Sequence, residues 1–179
     1  MRDEIILETE RLLFRRHIEA DMEAFCAMEQ DADVFRYVGG KPRTREEAER
    51  RFKNNLKPPT SRLSICATIF KPDAKYIGRC GIYPYVDRNG EPMPGEASLG
   101  LYLAKDYWGK GLATEAGKAF VSFGFNELKL KKIVTMVQVG NDASVRVLVK
   151  LGFEIVFTEK WENRSFYHFG ISNPTQINL

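Results

Sequence analysis

The chain is predicted to be an α/β (α+β) protein with a mixed central β-sheet flanked by helices, in one domain spanning residues 1–179. Three observations carry that expectation. Ala97, Leu99, Leu101 and Leu103 alternate with Ser98, Gly100, Tyr102 and Ala104, the period of two that marks a strand with two different faces. Leu112, Ala116, Ala119, Phe120 and Phe123 then repeat at helical spacing, after a turn reading Trp108-Gly109-Lys110-Gly111. A second apolar strand, residues 133–139, follows that helix, and a strand–helix–strand connection lays its two strands parallel with a right-handed crossover.

In chain order, residues 8–16 read as a first strand, with Leu12 and Phe14 on one face and Leu13 and Arg15 on the other. Glu19-Ala20-Asp21 opens a helix whose apolar stripe is Ile18, Met22, Phe25 and Met28, read as core packing. Thr44 with Glu47 three residues later forms a capping box for a second helix, with Glu46, Glu49, Arg50 and Arg51 on its solvated face. Lys57-Pro58-Pro59-Thr60 is expected to stop it. Residues 63–70 and 76–85 form an antiparallel hairpin turned at Lys71-Pro72-Asp73, and residues 87–95, dense in Gly, Pro, Asp and Asn, form a loop into the central strand. Asn141 caps a short helix that ends at Gly152, and residues 153–160 and 166–171 close the sheet as an antiparallel pair.

Composition excludes several classes. A length of 179 residues with 44% hydrophobic content suits a single well-developed core, with no repeat or low-complexity run. No stretch of eighteen apolar residues is present and Met1-Arg2-Asp3-Glu4 is not the start of a signal peptide, so no membrane association is expected and the cytoplasm is the expected compartment. Cys26, Cys66 and Cys80 match no zinc or redox spacing and read as buried, inert thiols; no metal is expected. The net charge of +3 is too small and dispersed for nucleic acid.

The turn between the central strand and its helix carries the strongest chemical signal. A strand that ends in a glycine-rich turn opening a helix aims unpaired backbone N–H groups and the positive end of a helix dipole at one spot. Gly109 and Gly111 permit close approach of a ligand to the backbone, and Lys110 adds a cation, so a phosphate is the expected occupant. A Walker A loop fails here, because Lys110 is followed by Gly111 and Ala104 stands where its first Gly belongs. A dinucleotide fingerprint fails too, with Thr114 at its third Gly position and no acidic residue about twenty positions on.

What remains resembles the coenzyme A pyrophosphate loop of the GNAT N-acetyltransferases, a pattern of Arg or Gln, two residues, Gly, one residue, then Gly or Ala. Trp108, Gly111 and Ala113 occupy its three fixed places. Trp in the first place, together with Ala113-Thr114-Glu115-Ala116, is similar to the branch containing the ribosomal-protein N-terminal (alanine) acetyltransferases. A second block agrees in order and spacing: Asn141, Ser144, Val145, Leu148, Gly152 and Phe153. The opening Leu7-Glu8-Thr9-Glu10-Arg11-Leu12, with Arg15 and Arg16, extends the resemblance over nearly the whole chain.

The resemblance implies the GNAT fold, in which the two parallel strands splay apart where residues 100–104 face residues 137–140, so that coenzyme A adds to the sheet as a peptide strand would. It implies acetyl-CoA as acyl donor, held by Leu101, Tyr102, Leu103, Trp108, Gly109, Lys110, Gly111, Leu112, Ala113, Thr114 and Asn141, with a central-strand N–H near residues 101–103 for the oxyanion. Transfer is expected to be direct, in a ternary complex.

For the acid and base the resemblance is incomplete. The family's second base position is Met136, and its tyrosine position is Leu148. Glu96 falls near the first base position, against the plainer reading of a strand-end carboxylate. Ser144 is the branch's counterpart of the acid, against the plainer reading of a helix-capping hydroxyl. His17 and His168 show no spacing that suggests a dyad. Residues 37–42 are the expected acceptor loop.

The expected acceptor is a peptide or protein N-terminal α-amine, since about one α-amine in ten is neutral at pH 7 and roughly one lysine in a few thousand. A small amine (polyamine, amino acid, aminoglycoside) and a non-catalytic acyl-CoA-binding module are the alternatives. The sequence leaves the choice between monomer and homodimer open.

Overall fold

The computed structural model describes residues 4–57 and 61–176. The segments Met1-Arg2-Asp3 and Pro58-Pro59-Thr60 therefore lie outside the described residues, together with the expectations placed on them. The elements run β1 (Ile5–Glu8), β2 (Leu12–Arg15), α1 (Met22–Glu29), α2 (Ala32–Phe35), α3 (Arg45–Asn55), β3 (Ser64–Phe70), β4 (Lys75–Val86), β5 (Pro92–Leu103), α4 (Leu112–Asn126), β6 (Lys132–Gln138), α5 (Asp142–Lys150), β7 (Glu154–Trp161) and β8 (Arg164–Ser172). The eight strands form one mixed sheet in the order β1-β2-β3-β4-β5-β6-β8-β7, in which β5 and β6 are parallel and every other neighbouring pair is antiparallel.

Three local expectations need correction. Residues 8–16 are not one strand: Thr9-Glu10-Arg11 breaks them into a hairpin, because Thr9 Oγ1 bonds back to Leu12 and the Arg11 backbone is drawn to Glu115. The loop before the central strand is shorter than residues 87–95, since β5 begins at Pro92 opposite Val86. Proline is tolerated there because β6 starts only opposite Glu96, so the first four residues of β5 have β4 on one side and no strand on the other. An additional short helix, α2, is capped by the Asp31 carboxylate, which accepts from the backbone N–H of Asp33 at 2.8 Å.

The remaining local chemistry follows expectation. Thr44 and Glu47 make the capping box of α3, and Gly152 takes the left-handed φ of 86° after α5. Period two sorts β5 into two faces. Ala97, Leu99 and Leu103 are buried against Leu112, Ala116 and Phe120 of α4. The other face of the sheet is covered by α1 and α3, where Phe25, Cys26, Ala48 and Phe52 form a second buried cluster. The β5 side chains on that face are Glu96, Ser98, Gly100 and Tyr102.

Candidate active site

The site begins where β5 and β6 part. Their parallel pairing covers only Glu96↔Lys132, Ala97↔Ile133 and Ser98↔Val134. Just beyond, the Thr135 hydroxyl crosses to donate to the Leu99 carbonyl at 2.9 Å, and no strand pairing follows. That bond fixes the orientation of β5. Since Leu99 turns its backbone toward β6 and backbone direction repeats every two residues, Leu101 and Leu103 also turn theirs into the gap. The Leu103 carbonyl is taken by Trp108 Nε1 at 2.7 Å, so Leu101 is left as the residue whose N–H and C=O are offered to a ligand. Tyr102 plays a different part from the one expected: its backbone turns toward β4, and its ring packs on Met28, Val34 and Phe35 beneath the Arg79 guanidinium, 4.3 Å from the ring centre.

Past Leu103 the chain makes the glycine turn. Gly109 and Gly111 have φ of 73° and 77°, the left-handed region that glycine reaches without strain. Gly111 is the N-cap of α4 and has no side chain to satisfy the helix's first N–H groups, so those of Leu112, Ala113 and Thr114 remain for an anion. Lys110 lies over the Tyr107 ring at 5.2 Å. The turn is anchored by Glu115, whose carboxylate accepts from Thr9 Oγ1 at 2.6 Å, from the Arg11 backbone at 2.9 Å and from Arg11 Nε at 2.7 Å. Arg11 also donates to the Lys110 carbonyl at 2.9 Å. Burial would raise the Glu115 carboxyl, but the bonds from Thr9 and Arg11 outweigh it and hold the group below its ordinary value. A groove of about 400 Å³ continues from the turn past Thr9, Thr114, Lys118 and Lys150.

On the other arm, Gly140 (φ 96°) ends β6 and the Asn141 Oδ1 caps α5 by accepting from Ser144 N–H at 3.2 Å. Asn141 therefore does the capping, and the half-buried Ser144 hydroxyl makes no hydrogen bond among the described residues. Residues 37–42, the loop expected to border the acceptor, reach the same place. Tyr37 approaches Gly140, and Arg164 at the start of β8 donates to the Gly39 carbonyl at 3.1 Å. Glu96 is not brought to the gap: it lies opposite Lys132 in the paired stretch, five residues or about 16 Å along the strand from Leu101.

All three cysteines are buried and free, and burial pushes the Cys66 thiol up to about 11 and that of Cys80 up to about 12, so neither is a ready nucleophile. Among the described residues no group of three or more His, Cys, Asp and Glu could hold a metal, and no helix is long and apolar enough to cross a membrane.

Residues 11–154 match the family model described as an acetyltransferase (GNAT) domain. The chain belongs to the GNAT acetyltransferase family. Among its relatives, the uncharacterized N-acetyltransferase p20 of Bacillus licheniformis is 31% identical over 153 residues, covering 83% of this chain and 82% of that one. The solved GNAT-family acetyltransferase from Bacillus anthracis superposes with a TM-score of 0.80 at 24% identity, over 93% of this chain and 98% of that one. Spermidine N-acetyltransferase from Vibrio cholerae, solved in complex with CoA and spermine, superposes with a TM-score of 0.75 at 17% identity, over 92% and 97%.

This GNAT domain is thus an acetyl-CoA-dependent N-acetyltransferase, and its residues fit the donor. Acetyl-CoA supplies the thioester when bound. The unpaired backbone of Leu101 suits an amide-bearing arm, and the uncapped start of α4 suits a pyrophosphate. Legible in advance were the glycines of the turn and the Asn141 cap. The anchor built from Thr9, Arg11 and Glu115 was visible only as two unconnected motifs, since nothing in their spacing says that they meet.

Proposed function

We propose that this acetyltransferase acts on the α-amine of a peptide or protein N-terminus, by direct transfer in a ternary complex, and that residues 1–179 form one such domain, working in the cytoplasm. In this reading Leu101 N–H binds the oxyanion, Ser144 returns a proton to sulfur, and residues 37–42 line the acceptor path. The observation that carries it is the charge on the acceptor face. Glu29, fully buried at the end of α1, is surrounded by Arg79 at 2.8 Å, Arg51 at 3.1 Å and Arg43 at 3.2 Å, a cluster of net charge about +2. Asp33 is paired with Lys105 and Arg36. Glu159 is paired with His168 and Arg88. A polycation such as a polyamine requires free carboxylates near the gap; these three are already paired, and Glu96, with no ion pair among the described residues, lies in the closed part of the sheet. A singly charged α-amine does not require them, and about a tenth of it is neutral at pH 7 without help.

The test measures thiol release from acetyl-CoA against peptides with free and blocked N-termini, spermidine, amino acids and an aminoglycoside, with the modified nitrogen located by fragmentation mass spectrometry. Acetylation of free N-termini is expected, and preferential turnover of spermidine would overturn the reading. Coenzyme A binding with no turnover of any amine would support an acyl-CoA-binding module instead.

A further inference from the structure

The acceptor face of the sheet holds a histidine–carboxylate pair that spacing alone does not reveal. His168 stands on β8 directly opposite Met136, the second β6 residue beyond the last position paired with β5, so it lies one strand from the open gap and on its acceptor face. Adjacent strands are about 4.8 Å apart, so one strand's width separates the His168 backbone from that gap. His168 Nε2 is 2.9 Å from Glu159 Oε2 on β7, and its ring stacks on Phe157, with centroids 4.0 Å apart and planes at 15°. Arg88 from the β4–β5 loop braces both partners, at 3.4 Å from Glu159 Oε1 and 5.1 Å from the Phe157 ring centre. The His168 side chain is 22% exposed.

An ionised carboxylate only accepts hydrogen bonds, so Glu159 requires the proton of neutral His168 to sit on Nε2. Nδ1 is then a lone pair, with no hydrogen bond to it among the described residues. The groups facing the ring are Glu159 from β7, Arg88 from the loop, and, on the same face of β6, Lys132 beyond the apolar Val134 and Met136. Glu96, the other carboxylate considered for this role, sits in the closed part of the sheet.

We propose that His168 takes the proton from the incoming amine through one water, and that Glu159 is the residue that positions it. An ammonium must lose one proton to expose its lone pair, and the attacking nitrogen loses a second as the carbon–nitrogen bond forms. His168 accepts the first at Nδ1 and releases it to solvent. The second ends on sulfur as the carbon–sulfur bond breaks. Glu159 holds the ring's tautomer and orientation. This rests on acetyl transfer to an amine and not on which amine is used.

The test compares the parent with His168→Gln and Glu159→Gln on a peptide beginning with alanine, from pH 6 to 9.5, with calorimetric coenzyme A binding and melting curves for each. His168→Gln is expected to lose up to about tenfold in kcat/KM at pH 7, where only about a tenth of the α-amine is neutral unaided, and little at pH 9.5, with coenzyme A affinity unchanged. Glu159→Gln is expected to show a smaller loss with the same dependence on pH, since the ring remains and only its orientation is released. Added imidazole should restore part of the rate to His168→Ala. A pH-independent loss, full activity of His168→Gln at pH 7, or the same loss confined to low pH in Glu96→Gln alone would overturn the proposal. So would variants that melt far below the parent, which would make the pair a structural clamp. A parent that turns over spermidine and not the peptide overturns only the acceptor reading, and the pH comparison is then made with spermidine. A parent that acetylates nothing overturns both.

Discussion

The two sides of the gap between β5 and β6 are built from different materials. The coenzyme side offers backbone: Leu101, the two left-handed glycines, and the uncapped first turn of α4. The acceptor side offers side chains brought from far apart, with Glu29 of α1, Arg43, Arg51 of α3 and Arg79 of β4 converging on one point. A donor common to a family is held by atoms that every residue possesses, whereas an acceptor is selected by atoms that only particular residues possess. The coenzyme side should therefore suffer when a side chain is added, and the acceptor side when one is removed.

The largest expected effect is on the acceptor side. Glu29 is completely buried, and Glu29→Ala leaves Arg79 charged and buried without its partner, so a loss of about 3–5 kcal/mol of stability is expected in urea unfolding. A loss under 1 kcal/mol would show that the arginines relax into solvent and that the cluster is not a fixed wall.

His17 gives a second measure on the same side. It is enclosed by Phe25, Phe52 and Tyr76, and burial lowers its imidazole from 6.5 to about 4. Because the unfolded chain takes up this proton first, the native protein loses stability as pH falls from about 6.5 to about 4, by up to about 3 kcal/mol, and keeps it above that window. His17→Gln should flatten the stability curve across this interval, and an unchanged slope would mean that another group carries it.

Ser144→Ala is the exception that sharpens the contrast, a side chain on the coenzyme side expected to matter. With helix capping done by Asn141, the expected result is a roughly 10²-fold lower kcat with coenzyme A affinity and melting temperature retained. An unimpaired variant would leave the whole coenzyme side to backbone.

Gly111→Val tests the opposite operation. A β-branched residue at φ 77° strains the turn that opens α4, and a loss of tenfold or more in coenzyme A affinity is expected by calorimetry, at about 1.5–3 kcal/mol for each lost bond to a charged group. Trp108→Phe, which removes only the bond from Nε1 to Leu103, should cost about 1 kcal/mol and leave coenzyme A binding within a few-fold.

The same division explains what could be read in advance. Glycines at 109, 111 and 152, the Thr44 capping box and the Asn141 cap act through their near neighbours, so spacing exposes them. The parting of β5 from β6 was expected from the resemblance, and its position one residue past Ser98 is close to the place expected. Hidden were the contacts that join distant segments. Thr9 and Arg11 meet Glu115 across more than a hundred residues, and His168 meets Glu159 only through the register of a hairpin that begins at residue 154. Pro92 misled for a related reason: proline breaks a strand only where a neighbour needs its N–H, and the missing neighbour is a property of the sheet.

Three paired positions, the Lys131 N–H donated to the Gly95 carbonyl at 2.7 Å and one threonine hydroxyl make the short ladder that joins strands β1–β5 to strands β6–β8 among the described residues. The sheet is therefore two leaves on a short spine, with α4 packed against both. A coenzyme arm lying along Leu101 acts as a splint between them, so part of its binding free energy reappears as resistance of the leaves to opening. Saturation at a hundred times the dissociation constant adds about 2.7 kcal/mol to global stability. In hydrogen exchange that gain should reach amides of β8 and β3 alike, although neither strand borders the gap.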